Sequence, residues 1–246
     1  MILSPSEIER YSRQMLITGW GIEGQEKLKK AKVAIVGIGG LGCLSSLYLA
    51  AAGIGKIILI DREKFELNNL NRQILCWVKD IGRPKAEVAK EKLLAFNPEI
   101  EIIAFNTEIS KENIDKIIGK VDVIVDGLDN WKTRFMINEY CVSNKIPFVH
   151  AGVTEMHGQI TTIVPGKGPC LRCIFPKTPR EMRYFPIMGA TPALLASLQV
   201  METIKLITGI GQPLIGRILF MDGKEVNAEV IKIEKMANCP VCGESR

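Results

Sequence analysis

The stretch VAIVGIGGLGCLSS at residues 33–46 places a glycine-rich turn between an apolar, β-branched run and a helical pattern. Gly37, Gly39 and Gly42 have the spacing G-x-G-x-x-G, which lets a strand turn tightly into a helix. Glycines at such a turn allow backbone N–H groups to approach a phosphate closely, and the start of the helix adds a favourable dipole. The stretch therefore predicts an α/β sheet that binds a nucleotide. The alternative is a glycine turn that serves only the fold.

Apolar runs alternate with helical patterns along the first 150 residues, which is typical of βαβ units. Strands are predicted at 32–37, 56–61, 100–106, 121–127, 148–152, 159–165, 217–222 and 228–234, and helices at 41–53, 84–97, 111–119 and 192–208. A capping-box pattern that begins at Ser4, with proline at the first helical position, predicts an N-terminal helix through Arg13.

These elements predict one domain over residues 1–246 with a Rossmann-like, three-layer α/β fold. N-terminal helices occupy residues 1–30, and a nucleotide-binding half with a mostly parallel sheet occupies residues 31–150. Residues 151–246 are expected to extend that sheet with mixed or antiparallel strands.

Charged residues after the glycines indicate which nucleotide is bound. Asp61 closes the second strand, 24 residues after Gly37, where a carboxylate can accept the ribose hydroxyls of NAD or ATP. Arg72 and Lys85 follow, and these cations suit a triphosphate better than a nicotinamide ring. The alternative for Lys85 is a solvated helix start. Asp129 lies at the end of the fourth strand, where it is expected to hold Mg²⁺ between phosphates or to cap the next helix.

Four of the seven cysteines form two C-x-x-C pairs, Cys170 with Cys173 and Cys239 with Cys242. Proline or glycine beside each pair favours two knuckles that together hold a structural Zn²⁺ through four thiolates. A redox role would require one such pair at the start of a helix that follows a strand. Because 65 residues separate Cys173 from Cys239, the metal is expected to tie the C-terminus to the middle of the chain.

The remaining cysteines and the composition indicate a reduced, cytoplasmic protein. Cys43 and Cys141 fall in predicted helices, where a thiol is usually buried, whereas Cys76 lies in a connecting segment that is open to exposure. Neither a signal peptide nor an apolar run of the ~20 residues that a membrane span requires is found. The 32 basic and 27 acidic residues are spread along the chain, so we expect neither a membrane nor a nucleic acid as a direct partner.

Together these motifs carry a resemblance that covers nearly the whole chain. They are RYSRQ at 10–14, GIGGLG at 37–42, the strand end at Asp61, NNLNRQ at 68–73, GRPKA at 82–86, DNWKTR at 129–134 and the two knuckles. In this order they resemble the MoeB/ThiF/HesA family of ubiquitin-activating-like adenylyltransferases. Members of that family use ATP and Mg²⁺ to adenylate the C-terminal glycine carboxylate of a small ubiquitin-fold sulfur carrier.

The resemblance implies roles for individual residues. Gly40 and the rest of the glycine loop would meet the nucleotide, Asp61 would meet the ribose, and a polar set would meet the phosphates and the metal: Asn68, Asn69, Arg72, Lys85, Asp129 and Asn130. Family members are homodimers in which the arginine that matches Arg13 reaches the partner's site. The residues alone would make Arg13 an exposed helix residue. A carrier that ends in Gly-Gly and a sulfur-donor protein are the implied partners.

One departure from the family limits the expected chemistry. Members that link covalently to their carrier have a cysteine in the segment after the second zinc cysteine, yet residues 174–192 contain none. That segment holds Lys177, Arg180 and Arg183, which suit either an acidic carrier or a solvated loop. His150 and His157 are expected to be packing or surface residues.

Four alternative functions remain open. They are an NAD-dependent oxidoreductase, an activator of a ubiquitin-like modifier for protein conjugation, an enzyme that activates a carboxylate on a tRNA nucleoside, and a scaffold without catalysis.

Overall fold

The computed structural model of the protein describes residues 2–180 and 186–243. Its strands are β1 Lys32–Val36, β2 Lys56–Asp61, β3 Glu101–Asn106, β4 Val123–Asp126, β5 Phe148–Thr154, β6 His157–Ile163, β7 Arg217–Asp222 and β8 Asn227–Lys232. They form one sheet in the order β3-β2-β1-β4-β5-β6-β7-β8. Strands β1 to β5 pair in parallel, and β5 to β8 pair antiparallel. The predicted sheet is confirmed.

Helices cover both faces of the sheet. They are α1 Pro5–Arg10, α2 Ser12–Met15, α3 Gly21–Lys30, α4 Gly40–Ala52, α5 Lys85–Phe96, α6 Ile114–Ile118, α7 Trp131–Asn144, α8 Leu171–Ile174 and α9 Ala190–Thr208. Ile35 and Leu59 pack into the core that includes α3, α4, α5 and α9, whereas Ala34 and Ile58 pack into the core that includes α6, α7 and α8. Both faces of the parallel strands are thus buried, which gives three layers. Within the described ranges, no helix has both the length and the apolar character needed to cross a bilayer.

The N-terminal helix is shorter than predicted. The capping box at Ser4 is present, but α1 ends at Arg10 because Tyr11 leaves the helical conformation, with φ −98° and ψ 7°. The ring of Tyr11 is buried, and its hydroxyl accepts a hydrogen bond of 2.9 Å from Asn97 Nδ2. The prediction of one helix through Arg13 is therefore wrong, since Arg13 lies on the separate short helix α2.

The strand order determines where a ligand can bind. From β1 the chain adds β2 and β3 on one side, and β4 and β5 lie on the other, so the connections after β1 and β4 diverge. Open α/β sheets bind ligands in the crevice at such a divergence. Gly37, which follows β1, has φ +92°, and a Cβ atom there would lie 2.5 Å from the carbonyl oxygen of Gly127, which follows β4. The two connections therefore pack directly against each other at the base of the crevice.

Candidate nucleotide-binding site

A pocket of about 830 Å³ lies at this crevice, within the size range of nucleotide and cofactor sites. The residues that line it include most of those predicted to bind the nucleotide, namely Gly37, Gly39, Gly40, Asp61, Asn68, Asn69, Arg72, Lys85, Asp129 and Asn130. Two predicted residues, Gly42 and Arg13, are not among the lining residues. The fold thus brings together groups that are spread over more than ninety positions of the sequence.

The glycine loop forms one wall of the pocket. Gly39 precedes α4, and no side chain caps the first N–H groups of that helix. Uncapped N–H groups at a helix start are ready donors for an anion. Gly42 lies on the other side of the turn, where a Cβ atom would be 1.9 Å from the carbonyl oxygen of Gly37. Gly42 therefore lets α4 pack against the turn and does not itself line the pocket.

Asp61 ties the glycine loop to the end of β2. Its Oδ2 accepts a hydrogen bond of 2.6 Å from the backbone N–H of Ile38, and its Oδ1 accepts one of 2.7 Å from that of Glu63. Burial raises the pKa of Asp61 above its ordinary value, and the two backbone donors and the nearby Lys85 only partly offset this rise. The carboxylate is thus held in a fixed position at the pocket edge.

Lys85 is buried, and its ammonium reaches the pocket from the first residue of α5. Its backbone N–H donates to the carbonyl oxygen of Glu63 at 2.9 Å, which holds the start of α5 against the end of β2. The Lys85 side chain is only 4% exposed, and its Nζ lies 2.7 Å from Glu63 Oε2. The alternative of a solvated helix start is therefore wrong.

Arg72 is held less firmly than Lys85. Its Nη1 donates to the carbonyl oxygen of Asn68 and to Asn71 Oδ1, both at 2.9 Å. The buried Asn69 stabilises the turn that precedes it, because its Oδ1 accepts from the backbone N–H of Glu66 at 3.1 Å. No carboxylate pairs with Arg72 in the part of the chain that the structure describes. Its guanidinium is therefore available to an anion.

Asp129 and Asn130 occupy the connection between β4 and α7. Asn130 caps α7, since its Oδ1 accepts a hydrogen bond of 2.9 Å from the backbone N–H of Thr133. The alternative that Asp129 caps this helix is therefore wrong. The carboxylate of Asp129 is exposed at the pocket, where it offers the hard oxygen ligand that Mg²⁺ prefers beside phosphate oxygens.

Several lining residues were not predicted. Gln73 and Lys132 belong to the motifs NNLNRQ and DNWKTR, so the sequence contained a signal for both. Gln73 is buried, and its Oε1 accepts no hydrogen bond from the described residues. Other lining residues come from distant segments without a recognisable pattern: Thr107, Glu108, Ile109, Val153, Ile187 and Pro192.

The four knuckle cysteines form a second candidate site. Their sulfur atoms all lie within 4.8 Å of one another, with Cys170 Sγ 3.7 Å from Cys239 Sγ and Cys173 Sγ 3.4 Å from Cys242 Sγ. Burial raises the pKa of the Cys170 and Cys242 thiols. Burial also opposes ionisation of Cys239, but the backbone N–H groups of Cys242 and Val241, together with the thiols of Cys173 and Cys170, outweigh it and lower the Cys239 pKa to about 7. Four sulfur atoms this close can ionise together only with a cation between them, and this donor set fits Zn²⁺.

The other three cysteines are all buried. This confirms the expectation that Cys43 and Cys141 are buried. Cys76 is only 4% exposed, so the suggestion that its thiol is open to solvent is wrong. Burial raises the pKa of the Cys43 thiol to about 12 and also raises that of Cys76. Buried thiols with raised pKa values are poor nucleophiles at neutral pH.

The remaining predicted cations lie outside the pocket. Arg13 is exposed on α2, and Lys177 and Arg180 are exposed after α8. Arg183 lies outside the described residues. The role that the resemblance gives to Arg13 therefore requires a second copy of the chain.

Known proteins match the chain over nearly its full length. The chain is 40% identical over 242 residues to the protein HesA, heterocyst, of Trichormus variabilis, covering 98% of this chain and 91% of that protein. It is 37% identical to the sulfur carrier protein adenylyltransferase of Thermus thermophilus, covering 97% of this chain and 92% of that one. The solved structure of E. coli MccB with ATP superposes with a TM-score of 0.86 at 30% identity, across 98% of this chain and 75% of that chain.

A model of the ThiF family matches residues 11–241. This match and the relatives above confirm the resemblance to the MoeB/ThiF/HesA group. The alternative of an NAD-dependent oxidoreductase rested on the glycine loop and on Asp61, and ATP would use both of them equally. Because the family model spans most of its length, the chain belongs to the ThiF family.

Proposed function

We propose that the protein uses ATP to adenylate the C-terminal carboxylate of a small ubiquitin-fold carrier that ends in Gly-Gly. The observation that carries this proposal is the pocket, which gathers the glycine loop, Asp61, Arg72, Lys85 and Asp129 at one crevice. The similarity to a sulfur carrier protein adenylyltransferase supports the same chemistry. A nicotinamide ring would gain nothing from the two cations, whereas a triphosphate requires them.

The reaction brings two anions together. A carboxylate oxygen of the carrier attacks the α-phosphorus of ATP, the new oxygen–phosphorus bond forms, and the bond to the bridging oxygen breaks as pyrophosphate leaves. Arg72 and Lys85 reduce the repulsion between the carboxylate and the triphosphate and stabilise the charge that develops on pyrophosphate. No general base is required, because a C-terminal carboxylate is already ionised at neutral pH. Positioning and charge therefore account for the catalysis that we propose.

Asp129 would hold Mg²⁺ against the phosphates. When bound, the ion offsets negative charge on the phosphate oxygens. The apolar side chains of Val153, Ile187 and Pro192 line the same pocket as the phosphate-directed residues. We assign this wall to the carrier's C-terminal tail, whose small glycines leave room for close approach to the α-phosphorus.

The sulfur chemistry is assigned to another protein or to sulfide. Residues 174–192 contain no cysteine, and the three cysteines outside the knuckles are buried. A thioester with a protein modifier would require an accessible thiol, which disfavours conjugation. The unpaired cysteines support a location in the reducing cytoplasm, which we include in the proposal.

Pyrophosphate exchange tests the proposed reaction. The protein should exchange labelled pyrophosphate into ATP in the presence of Mg²⁺ and a carrier that ends in Gly-Gly. The matched control is the same carrier with an amidated C-terminus, which lacks the nucleophile. Exchange that is equally fast with both carriers, or protection against thermal unfolding by NAD instead of Mg-ATP, would contradict the proposal.

Zn²⁺ is proposed as the structural ion of the cysteine cluster. Among the described residues that line the nucleotide pocket, none is a cysteine, so the metal would act on the fold and not on the reaction. The first knuckle spans the start of α8, and the second follows β8. The ion would therefore fasten the C-terminal segment to the middle of the chain.

A homodimer is proposed because it gives Arg13 a function. Leu16 and Ile17 follow Arg13 and are 76% and 49% exposed, and Ile22 is 46% exposed nearby in the sequence. Exposed apolar side chains of this kind are typical of interaction surfaces. In the proposed dimer, this surface packs against a second copy and Arg13 reaches the partner's pocket.

Mixing two inactive variants tests the dimer. Arg13→Ala and Lys85→Ala should each lose most of their activity alone, but a refolded equimolar mixture should regain roughly a quarter of the wild-type activity, because half of the dimers contain one intact composite site. A mixture that stays inactive, while size-exclusion chromatography shows mixed dimers, would exclude action in trans.

A further inference from the structure

A buried charged cluster lies behind the loop that carries Asp129. Asp126 ends β4 and is 0% exposed. Its Oδ2 lies 3.0 Å from Arg134 Nε and 2.6 Å from His150 Nδ1, and both partners are buried. Burying an ion pair costs desolvation free energy, and an apolar replacement is often at least as stable. This cluster therefore calls for a role beyond stability.

The cluster binds both the backbone N–H and the backbone carbonyl oxygen of Leu128. Asp126 Oδ1 accepts from the backbone N–H of Leu128 at 2.9 Å. Arg134 Nη2 donates to the carbonyl oxygen of Leu128 and, at 3.1 Å, to that of Ala151 on β5. The peptide groups on both sides of Leu128 are thus fixed, and the second of them leads directly into Asp129.

Neighbouring contacts prevent the loop from sliding. A Cβ atom on Gly127 would lie 2.0 Å from the carbonyl oxygen of Gly37, so the loop already touches the glycine turn. The carbonyl oxygen of Asp126 accepts a hydrogen bond of 2.8 Å from the buried Gln199. On the far side, Asn130 caps α7. Asp129 therefore lies between two anchored residues.

His150 supplies the third donor to Asp126. Its ring lies among Trp131, Phe148 and Phe175, with centroid distances of 5.9 to 6.3 Å. Burial lowers the pKa of His150, and the nearby Asp126 only partly offsets this. Because a carboxylate oxygen can only accept, the contact of Nδ1 with Asp126 requires the tautomer with its proton on Nδ1. Its Nε2 accepts no hydrogen bond from the described residues. The imidazole thus contributes one hydrogen bond to Asp126, and the rest of the ring packs against the aromatic side chains.

We propose that Asp126, Arg134 and His150 are positioning residues that fix the backbone of residues 127–129 and thereby place the Asp129 carboxylate. Arg134 borders the pocket, but its Nε and Nη2 groups are committed to protein acceptors. The inference rests on the proposed function, since it is the metal-binding role of Asp129 that the cluster supports.

Arg134→Lys is the principal test, because it keeps the charge next to Asp126 but loses the fork that reaches Leu128 and Ala151. We expect amide hydrogen exchange of the peptide 127–132 to rise by about tenfold or more in the ligand-free protein. Arg217→Lys is the matched control for this measurement, since Arg217 also donates to a backbone carbonyl, that of Pro213 at 2.8 Å, but on β7. If Arg134→Lys raises exchange of the peptide no more than Arg217→Lys does, the inference is overturned.

His150 provides a second variant that keeps the fold. His150→Phe fills the aromatic surroundings but removes the donor to Asp126, so exchange of the same peptide should rise less than in Arg134→Lys. His150→Asn returns an N–H near the position of Nδ1 and should restore protection. Equal exchange in the wild type and the Phe variant would remove His150 from the positioning set.

A second readout connects the cluster to Asp129. In Arg134→Lys, the Mg²⁺ concentration for half-maximal pyrophosphate exchange should rise by about tenfold, while the KM for ATP changes by less than about threefold. Raised hydrogen exchange with an unchanged Mg²⁺ requirement would refute positioning of Asp129. If the wild type exchanges no pyrophosphate, the proposed function fails, but the hydrogen-exchange comparison still decides whether the cluster fixes the loop.

Discussion

Replacing Lys85 by methionine separates its charge from its packing. Methionine has a similar length and fills a buried position without an ammonium group. The ion pair that is lost is half open to water, because the Glu63 side chain is 53% exposed although that of Lys85 is only 4% exposed. Such a pair contributes about 1 kcal/mol or less to the free energy of unfolding. We therefore expect Lys85→Met to fold normally.

The catalytic cost should be much larger. Two unit charges about 4 Å apart interact by about 4 kcal/mol at an effective dielectric constant of 20, and by about half of that at twice the distance. An ammonium group that faces the triphosphate should thus lower the barrier by about 2 to 4 kcal/mol. At about 1.36 kcal/mol for each factor of ten, kcat/KM for pyrophosphate exchange should fall roughly 30-fold to 900-fold.

The double variant Glu63→Gln/Lys85→Met gives a decisive control. It removes both charges of the pair, so the net charge of the pocket is unchanged. If Lys85 acts on the phosphates, the double variant should remain as slow as Lys85→Met. Recovery to near wild-type exchange would show that Lys85 only neutralises Glu63, and this would refute the role that we give it.

Three further perturbations test the framework around the site. Asp80→Asn breaks a buried pair with Lys92 and should lower the free energy of unfolding by about 3 to 5 kcal/mol in urea titrations at pH 7. Burial raises the pKa of Asp80, but its bonds to Lys92 and to the backbone N–H of Trp77 outweigh this and lower it overall. The stability that it contributes is therefore complete above pH ~4 and is lost as the pH falls through the lowered value, so the difference in stability between wild type and variant should shrink as the pH falls below about 4. Metal chelation should lower the melting temperature by roughly 10 °C or more, while the protein that remains folded still binds Mg-ATP. Arg72→Lys should raise the KM for ATP more than it lowers kcat, measured by pyrophosphate exchange, because one ammonium cannot replace the forked guanidinium.

Local signals were sufficient to predict most of the sheet. The strand predicted at 56–61 matches β2 Lys56–Asp61, because a buried parallel strand is marked by a continuous β-branched run with clear ends. The glycine turn was equally clear from its spacing. Gly37 is required there because a side chain would collide with Gly127. The two C-x-x-C pairs predicted that the four cysteines cluster, because zinc sites use such pairs as ligands.

Contacts between distant residues explain the errors. Tyr11 ends α1, and its hydroxyl accepts a hydrogen bond from Asn97, which lies 86 residues away. Lys85 is turned inward by Glu63, 22 residues earlier, so neither helix propensity nor charge at a helix start revealed its burial. Arg134 stands in the motif DNWKTR, yet its partners lie on two different strands. A pattern within one segment does not specify contacts between residues that are far apart in the sequence.

The pocket combines rigid and adjustable charges, and this division fits the proposed chemistry. Asp129 sits on a backbone held on both sides, which suits a ligand that must place a metal within a few tenths of an ångström. Lys85 and Arg72, in contrast, have partners that a phosphate can displace: a half-exposed carboxylate for Lys85, and two oxygens bonded through a single nitrogen for Arg72. Binding of ATP would thus exchange weak internal contacts for stronger ones at the cations while leaving Asp129 in place. Because groups that are already oriented need no reorganisation when pyrophosphate leaves, the buried cluster behind Asp129 would contribute to the rate of the proposed reaction without touching the nucleotide.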